Sequence, residues 1–363
     1  MMKDKEKLKM LIKERKLFFD STFIYMLLLV LFVGLRIFAS FNPLAFLGEY
    51  QDLVFSLIIQ VGIMFLLPLL LFKKLQKKSV KEVFKEFKFT KINLKAVMIC
   101  VGLGFLLIIL NVAFNSIYSF ILSLFGYATS SGGGVASYPL YLFLITIFAS
   151  AILPGFCEEF ANRGLLLNGL KGLGVKKAIL ISGLCFGLMH LNIGQFGYAT
   201  LVGMYFAFIC IATGSIVPGI IMHFLNNAIT EYLSFASVND LFLGNFYTSI
   251  ASIGADGNFF TSIILIFMIL ITVVFLFIWL TYILIKNMRG QKLQKIGNDL
   301  AETLEKVPEE IRPKSLKISI PLESFGINAK QVYKPSLRIK LPLLTTIFLG
   351  SVVTLMTLIW NTL

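Results

Sequence analysis

Residues 153–170 read LPGFCEEFANRGLLLNGL, a largely apolar run that charged residues interrupt. Two adjacent acids, Glu158 and Glu159, and the basic Arg163 lie inside a run that is otherwise mostly apolar. A charged group in the middle of a membrane span costs on the order of 2.5–3.5 kcal/mol on insertion scales, so such groups are rare and functional. The stretch therefore predicts a membrane helix that carries a polar site.

The rest of the chain has the composition of a membrane protein. Of its 363 residues, 57% are hydrophobic and only 14% are charged, and several apolar runs exceed the ~20 residues that cross a bilayer. We predict an all-α, polytopic membrane helix bundle of about eight or nine transmembrane helices, without an internal repeat. The candidate spans are 22–41, 53–72, 96–124, 140–170, 178–195, 199–215, 217–236, 259–285 and 341–363. Because only the short Gly214–Gly219 stretch joins the sixth and seventh spans, one of them is a candidate re-entrant segment.

The positive charges lie on one side of these spans. Lys and Arg concentrate in residues 1–21, 73–95, 171–177 and 286–340, and only Arg36 and Arg163 lie elsewhere. By the positive-inside rule this places the N-terminus in the cytoplasm and, with nine spans, the C-terminus outside. We expect a multi-pass protein of a bacterial cell membrane. The net charge of +14 then reflects topology, and we predict no nucleic-acid partner.

The chain is divided by these spans and charges into segments with different expected roles. The predicted divisions are 1–95 (N-terminal spans and a basic cytoplasmic loop), 96–236 (catalytic membrane core), 237–285 (outer loop and eighth span), 286–340 (charged cytoplasmic segment) and 341–363 (C-terminal span). Loop 73–95 is either an interfacial amphipathic helix on anionic lipid or a plain basic loop. Segment 286–340 begins as a charged helix and is either a docking region for a cytoplasmic partner or a linker.

The cysteines give no sign of a covalent framework. Cys100, Cys157, Cys185 and Cys210 all lie inside apolar runs, and none forms a C-x-x-C pair. We interpret them as small packing residues, with neither a disulfide nor a metal site.

The two glutamates are expected to differ in their environment. On a helix, Glu159 and Arg163 are four residues apart and share a face, where an ion pair neutralises and orients the Glu159 carboxylate. Glu158 points about 100° away and lacks that partner, which makes it the candidate general base or acid. The alternative is that all three side chains form a packing network, although polar contacts in membranes more often use Ser, Thr or Asn.

The only two histidines also fall in predicted spans. His190 lies in CFGLMHLN of the fifth span and His223 in IIMHFLNNAI of the seventh. Histidine transfers protons near neutral pH, although a single membrane histidine is more often structural. Asn227 follows His223 by one helical turn, so the pair can donate hydrogen bonds to one oxyanion. Depth can be counted at about 1.5 Å per residue from the inner ends of these spans, at Leu170, Ala178 and Val217. Glu158 and His190 then both lie about 18 Å deep, and His223 lies about 9 Å deep.

Three motifs resemble the signature of the CAAX-protease and bacteriocin-processing (CPBP, or Abi) family of intramembrane endopeptidases. The family carries E-E-x-x-x-R, F-x-x-x-H and H-x-x-x-N on separate spans, which here correspond to Glu158–Arg163, Phe186–His190 and His223–Asn227. The resemblance covers about residues 96–236. Asn162 departs from the phenylalanine often found before the arginine, which we do not expect to affect the chemistry.

The resemblance implies hydrolysis of a peptide bond inside the membrane. It implies that Glu158, helped by His190, activates a water, that His223 and Asn227 form the oxyanion hole, and that Glu159 and Arg163 support the site. It also leaves a metal-dependent mechanism open, with Glu158, His190 and His223 as alternative zinc ligands. We favour a mechanism without a cofactor, because H-E-x-x-H is absent from the sequence and asparagine suits an oxyanion better than zinc.

The expected substrates are membrane-tethered peptides or proteins, processed in peptide or bacteriocin maturation or in immunity. Prenylated CAAX substrates belong to the eukaryotic branch of the resemblance, and no residue supports prenylation specifically. One competing hypothesis is a non-catalytic membrane scaffold or regulator that binds a partner enzyme. Another is a transporter or proton relay, which the absence of an inverted repeat disfavours.

Overall fold

The computed structural model describes residues 2–127, 138–241, 243–244, 259–305 and 335–360. In these ranges the regular structure is helical throughout. The helices are α1 (Met2–Ser40), α2 (Gln51–Gln76), α3 (Val80–Glu86), α4 (Leu94–Ser123), α5 (Leu140–Leu173), α6 (Val175–Met189), α7 (Ile193–Thr213), α8 (Val217–Val238), α9 (Phe259–Glu305) and α10 (Leu337–Trp360). The predicted all-α membrane bundle is confirmed.

Within the described residues, seven helices are long and apolar enough to cross a membrane, namely α1, α2, α4, α5, α7, α9 and α10. The two other predicted spans also form helices. Helix α6 has 15 residues, and at 1.5 Å per residue it is shorter than the ~30 Å hydrocarbon core. Helix α8 has 22 residues, and His223, its asparagines and Glu231 make it more polar. The chain is therefore an integral, multi-pass membrane protein.

The boundary between the fifth and sixth predicted spans was wrong. The sequence predicts helices over 178–195 and 199–215, but α6 ends at Met189 and α7 begins at Ile193. Leu191 adopts a left-handed φ of 51°, and the Asn192 side chain accepts the backbone N–H of Gly194 at 2.8 Å as a helix N-cap. A left-handed residue followed by an N-cap ends one helix and starts the next.

Two pairs of helices near the site, α6 with α7 and α5 with α8, pack closely because a glycine of one helix faces the backbone of the other. A Cβ atom on Gly183 of α6 would lie 2.8 Å from the backbone oxygen of Thr200 in α7, and one on Gly155 of α5 would lie 3.1 Å from the Cα of Phe224 in α8. Small residues at such points let membrane helices pack backbone to backbone. These contacts hold the polar residues of α5 and α8 within reach of each other.

The basic segment 73–95 does not present its apolar side to lipid. A capping box of Ser79 and Glu82 starts α3, and Val83 and Phe87 are fully buried. Neighbouring phenylalanines stack on aromatic rings of α2 and α5; the cluster comprises Phe65, Phe72, Phe84, Phe87, Phe89, Phe156 and Phe160. The interfacial-helix interpretation is thus wrong for this face, because burial against the bundle already covers its apolar surface.

Three further predictions concern the α7–α8 connection, the charged segment 286–340 and the cysteines. Gly214 ends α7 in a left-handed conformation (φ 72°), and α8 starts at Val217 with Pro218 in its first turn. The charged segment 286–340 starts as predicted within a helix, because α9 runs on to Glu305, while residues 306–334 lie outside the described ranges. All four cysteines are buried and unpaired, as expected of packing residues.

Candidate active site

The two glutamates lie where the backbone of α5 changes its helical geometry. Residues Leu153–Glu159 are α-helical, and the next segment, Phe160–Leu166, is π-helical. A π-helical turn alters the angular spacing of side chains and frequently occurs at functional sites. In this arrangement Glu159 is fully buried, whereas Glu158 keeps 18% of its side chain exposed. The two carboxylates therefore face different surroundings.

The predicted ion pair between Glu159 and Arg163 is present. Arg163 Nη1 donates to Glu159 Oε1 at 2.8 Å, and both side chains are fully buried. Arg163 Nη2 donates to the backbone oxygen of Gly203 at 3.0 Å, and the guanidinium lies over the rings of Phe186 (4.6 Å) and Phe206 (5.4 Å). Hydrogen bonds and cation–π contacts of this kind compensate the burial of a charge.

His223 lies between the two glutamates. Its Nδ1 is 3.1 Å from Glu159 Oε1, and its Nε2 is 3.9 Å from Glu158 Oε2. Because an ionised carboxylate only accepts, Nδ1 carries the hydrogen and donates it to Glu159. In the neutral imidazole, Nε2 is then the free acceptor, and it faces Glu158. Glu159 thus contacts the imidazole as well as Arg163, a second role that the sequence did not indicate.

His190 is anchored in a different way. It is the C-terminal cap of α6, and the earlier expectation that it lies inside a helix was wrong because of the turn at Leu191. Its Nδ1 is 2.9 Å from the backbone oxygen of Phe186, so Nδ1 donates and Nε2 is left free. The ring of Phe186 meets both imidazoles edge to face, with centroid distances of 5.1 Å to His190 and 5.7 Å to His223.

Asn227 lies one turn beyond His223 on α8, as the motif spacing predicts. Its Nδ2 donates to the backbone oxygen of Ser150 at 3.0 Å, and its Oδ1 accepts from Asn226 at 3.2 Å. Ser150 belongs to a further π-helical segment of α5, Ile147–Ile152. The amide group of Asn227 has a second N–H, which these contacts leave available.

Two polar side chains that the sequence analysis did not select also contact Glu158. Gln60, in a π-helical segment of α2, donates from Nε2 to Glu158 Oε1 at 2.8 Å. Asn162 donates from Nδ2 to the backbone oxygen of Glu158 at 2.8 Å. A lone glutamine within an apolar span was the available signal for Gln60, because polar residues inside spans are costly.

Asn162 also joins α5 to α1. Its Oδ1 accepts from the hydroxyl of the buried Tyr25 at 2.6 Å, and that hydroxyl is 3.3 Å from the backbone oxygen of Cys185 in α6. The departure at Asn162 therefore has a structural consequence, while the expectation that it does not affect the chemistry stays a prediction. In this chain the asparagine makes two hydrogen bonds beneath the glutamate turn.

The side chains that could bind a metal here are the carboxylates and imidazoles of the site. Among the described residues, no three His, Cys, Asp or Glu side chains converge at a spacing that could hold a metal ion. The alternative zinc ligands Glu158, His190 and His223 therefore do not form a ready coordination group in this arrangement.

Comparison with known proteins identifies the segment that carries this site. The model of the family described as Rce1-like, type II CAAX prenyl endopeptidase, matches residues 140–229. The match spans α5 to α8 and includes all three motifs. No curated protein and no solved structure matches the chain. Residues 140–229 are thus similar to the Rce1-like group of the CPBP (Abi) family, the family that the three motifs indicated.

Proposed function

We propose that this protein is an intramembrane endopeptidase that hydrolyses peptide bonds of membrane-associated peptides or proteins. The observation that carries the proposal is the difference between the two histidines. His223 donates from Nδ1 to the carboxylate of Glu159, whereas His190 donates from Nδ1 to a neutral backbone oxygen. A carboxylate stabilises a protonated imidazole, while a carbonyl only fixes the tautomer. Two histidines held for two different tasks fit a hydrolase better than a packing network.

In the first step, a water is activated beside Glu158. The Glu158 carboxylate takes a proton from the water, with His190 Nε2 as the second acceptor that orients it. The water oxygen attacks the carbonyl carbon of the scissile peptide bond, and the carbonyl oxygen becomes an oxyanion. Glu158 suits this role because 18% of its side chain is exposed and, among the described residues, its ion-pair partner is a histidine and not a lysine or arginine.

The oxyanion is stabilised by His223 and Asn227. His223 donates from Nε2 when both ring nitrogens are protonated, and the neighbouring Glu159 carboxylate stabilises the positive charge of the imidazolium. Asn227 supplies the N–H that Ser150 does not use. Arg163 holds the Glu159 carboxylate in place. The carbon–nitrogen bond then breaks, and the proton taken up by Glu158 passes to the leaving amine.

The family name supports a membrane-associated protein as the substrate. We place cleavage in peptide or bacteriocin maturation or in immunity, in a bacterial membrane with the N-terminus in the cytoplasm. The basic segments 1–21, 73–95 and 171–177 support that orientation by the positive-inside rule. Nothing in the described residues selects a prenyl group, so prenylated CAAX proteins are one substrate class among several.

The test compares membrane peptides from cells that express the native chain or Glu158→Gln. We expect cleavage products that disappear in the variant, while Glu231→Gln on α8 serves as a matched carboxylate control. A peptide recovered in this way is then tested with the purified protein, and turnover that persists with a strong chelator supports the metal-free mechanism. The same products in both strains would contradict the proposal and favour a non-catalytic scaffold.

A further inference from the structure

Gln60 lies outside the matched segment 140–229, yet it contacts the glutamate assigned as the general base. Its Nε2 donates to Glu158 Oε1 at 2.8 Å. The other carboxylate oxygen, Oε2, is the one that faces His223 Nε2 at 3.9 Å. Because one oxygen is held by α2, the rotation of the carboxylate is fixed with the remaining oxygen toward the histidine. The amide therefore determines which oxygen of Glu158 is available.

The amide oxygen of Gln60 is the more informative atom. The side chain is only 7% exposed, and its Oε1 is a buried atom to which no described residue donates a hydrogen bond. Burying an amide oxygen without a donor costs roughly 1–3 kcal/mol, so native structures rarely leave one unpaired. An unpaired acceptor beside the base of a hydrolytic site indicates a donor that arrives with the reactants.

The local backbone shows that this placement is specific to Gln60. The π-helical segment Ile58–Leu66 interrupts α2 at this point, and its buried side chains are Gln60 and Met64. One turn earlier on the same helix, Ser56 donates to the backbone oxygen of Ala149 at 2.7 Å, which also joins α2 to α5. A helix contact alone needs only a bond like that of Ser56. Gln60 instead bonds a reactive group and keeps an acceptor open.

We propose that Gln60 is part of the hydrolytic site, with a task for each half of its amide. Nε2 positions the Glu158 carboxylate, and Oε1 accepts a hydrogen bond from a polar hydrogen delivered during the reaction. Two reactants of a peptidase carry such a hydrogen, namely the nucleophilic water and a backbone N–H of the peptide substrate. This inference rests on the proposed function and adds a residue of α2 to it.

The first arm of the test uses Gln60→Met, which keeps the length of the side chain and removes both polar atoms. The probe is a fluorogenic peptide with the cleavage sequence recovered from the comparison of membrane peptides. We expect kcat/KM to fall about 10- to 100-fold, as is typical when a charged group loses a hydrogen bond. Ser56→Ala, which removes an α2–α5 contact away from the carboxylate, is the matched control and should retain activity within a few fold.

A second arm reads the contact with Glu158 through the pH profile. Gln60→Glu places a second carboxyl within hydrogen-bond distance of the first, and two such groups do not both ionise readily. Activity that needs the ionised base then rises only at higher pH, so the acidic limb of the profile moves upward. An unshifted limb would show that the side chain at position 60 does not contact the Glu158 carboxylate during the reaction. Because Gln60→Glu nearly preserves shape, it carries the test alone if Gln60→Met fails to fold.

A third arm separates the two donors. An ester analogue of the probe lacks the backbone N–H on the amino-terminal side of the scissile bond. If that N–H binds Gln60 Oε1, the ester raises KM for the native protein but makes no difference in Gln60→Met. If the water binds there, Gln60→Met lowers kcat equally for both probes.

The outcomes also separate this inference from the function on which it rests. Cleavage that is lost in Glu158→Gln but equal in Gln60→Met and Ser56→Ala, with an unshifted pH profile in Gln60→Glu, overturns the role of Gln60 alone. Cleavage that persists in Glu158→Gln overturns the proposed function and this inference together.

Discussion

Residues 140–229 and the helices around them contribute to the site in different ways. The matched segment supplies Glu158, His190, His223 and Asn227, the groups with acid–base or hydrogen-bonding chemistry suited to hydrolysis. The surrounding helices supply side chains that contact one of these groups or a residue near it: Gln60 of α2 contacts Glu158, Tyr25 of α1 contacts Asn162, and Thr357 of α10 contacts the backbone of Ile193. Under the proposed function, the matched segment contains the reacting groups, whereas the other helices position these groups or their neighbours.

The largest expected effect falls on the chemistry inside the matched segment. We expect His190→Ala to lower kcat by about 10²- to 10⁴-fold, the range typical of losing a group that transfers a proton. The side-chain hydrogen bond that the described residues give His190 goes to the backbone of its own helix, so thermal unfolding should change little. If the purified variant turns over at the native rate, His190 takes no part in the proton transfer.

The next effect tests the buried charge that supports the site. Arg163→Met removes one partner of a fully buried ion pair, which costs about 3–5 kcal/mol of stability. Arg36→Met is the matched control, because Arg36 is exposed and lies 5.6 Å above the ring of Phe32. Thermal unfolding in detergent can be followed with a thiol-reactive dye, because all four cysteines are buried. Equal midpoints for the two variants would contradict the importance of the ion pair.

A smaller effect is expected where α1 meets the glutamate turn. Tyr25→Phe removes the hydroxyl that donates to Asn162 Oδ1 and leaves that buried oxygen without its donor. We expect a loss of about 1–3 kcal/mol in stability and a smaller change in turnover. Tyr282→Phe on α9 provides the control, since that side chain is 61% exposed. If both variants unfold at the native midpoint, α1 does not support the site through this bond.

The smallest effect concerns the C-terminal helix. The hydroxyl of Thr357 accepts the backbone N–H of Ile193 at 2.9 Å, in the first turn of α7 and shortly after His190. Thr357→Val should cost about 1 kcal/mol, the net value of an ordinary hydrogen bond, and Thr357→Ser should restore it. The measurement is again the unfolding midpoint. A serine variant that behaves like the valine variant would show that the hydroxyl is not the reason for the loss.

The positions of the helices could be predicted from the sequence to a large extent, because apolar runs report membrane insertion directly. Each of the predicted spans corresponds to a helix, and the Glu159–Arg163 pair follows from its spacing of four residues. The boundary at His190 was missed, since it depends on the left-handed backbone of Leu191. The packing of the basic segment 73–95 against the bundle was also not predicted, because its phenylalanines contact rings of α2 and α5 that are distant in sequence.

The sequence alone predicted a membrane helix bundle with Glu158, Glu159, Arg163, His223 and Asn227 inside its helices. It could do so because apolar length, helical periodicity and local motifs are properties of neighbouring residues. Only the tertiary structure decided that Glu159 contacts His223 and that Gln60 holds Glu158. Those contacts join residues 64 and 98 positions apart, and their geometry depends on how π-helical turns and close helix packing aim each side chain.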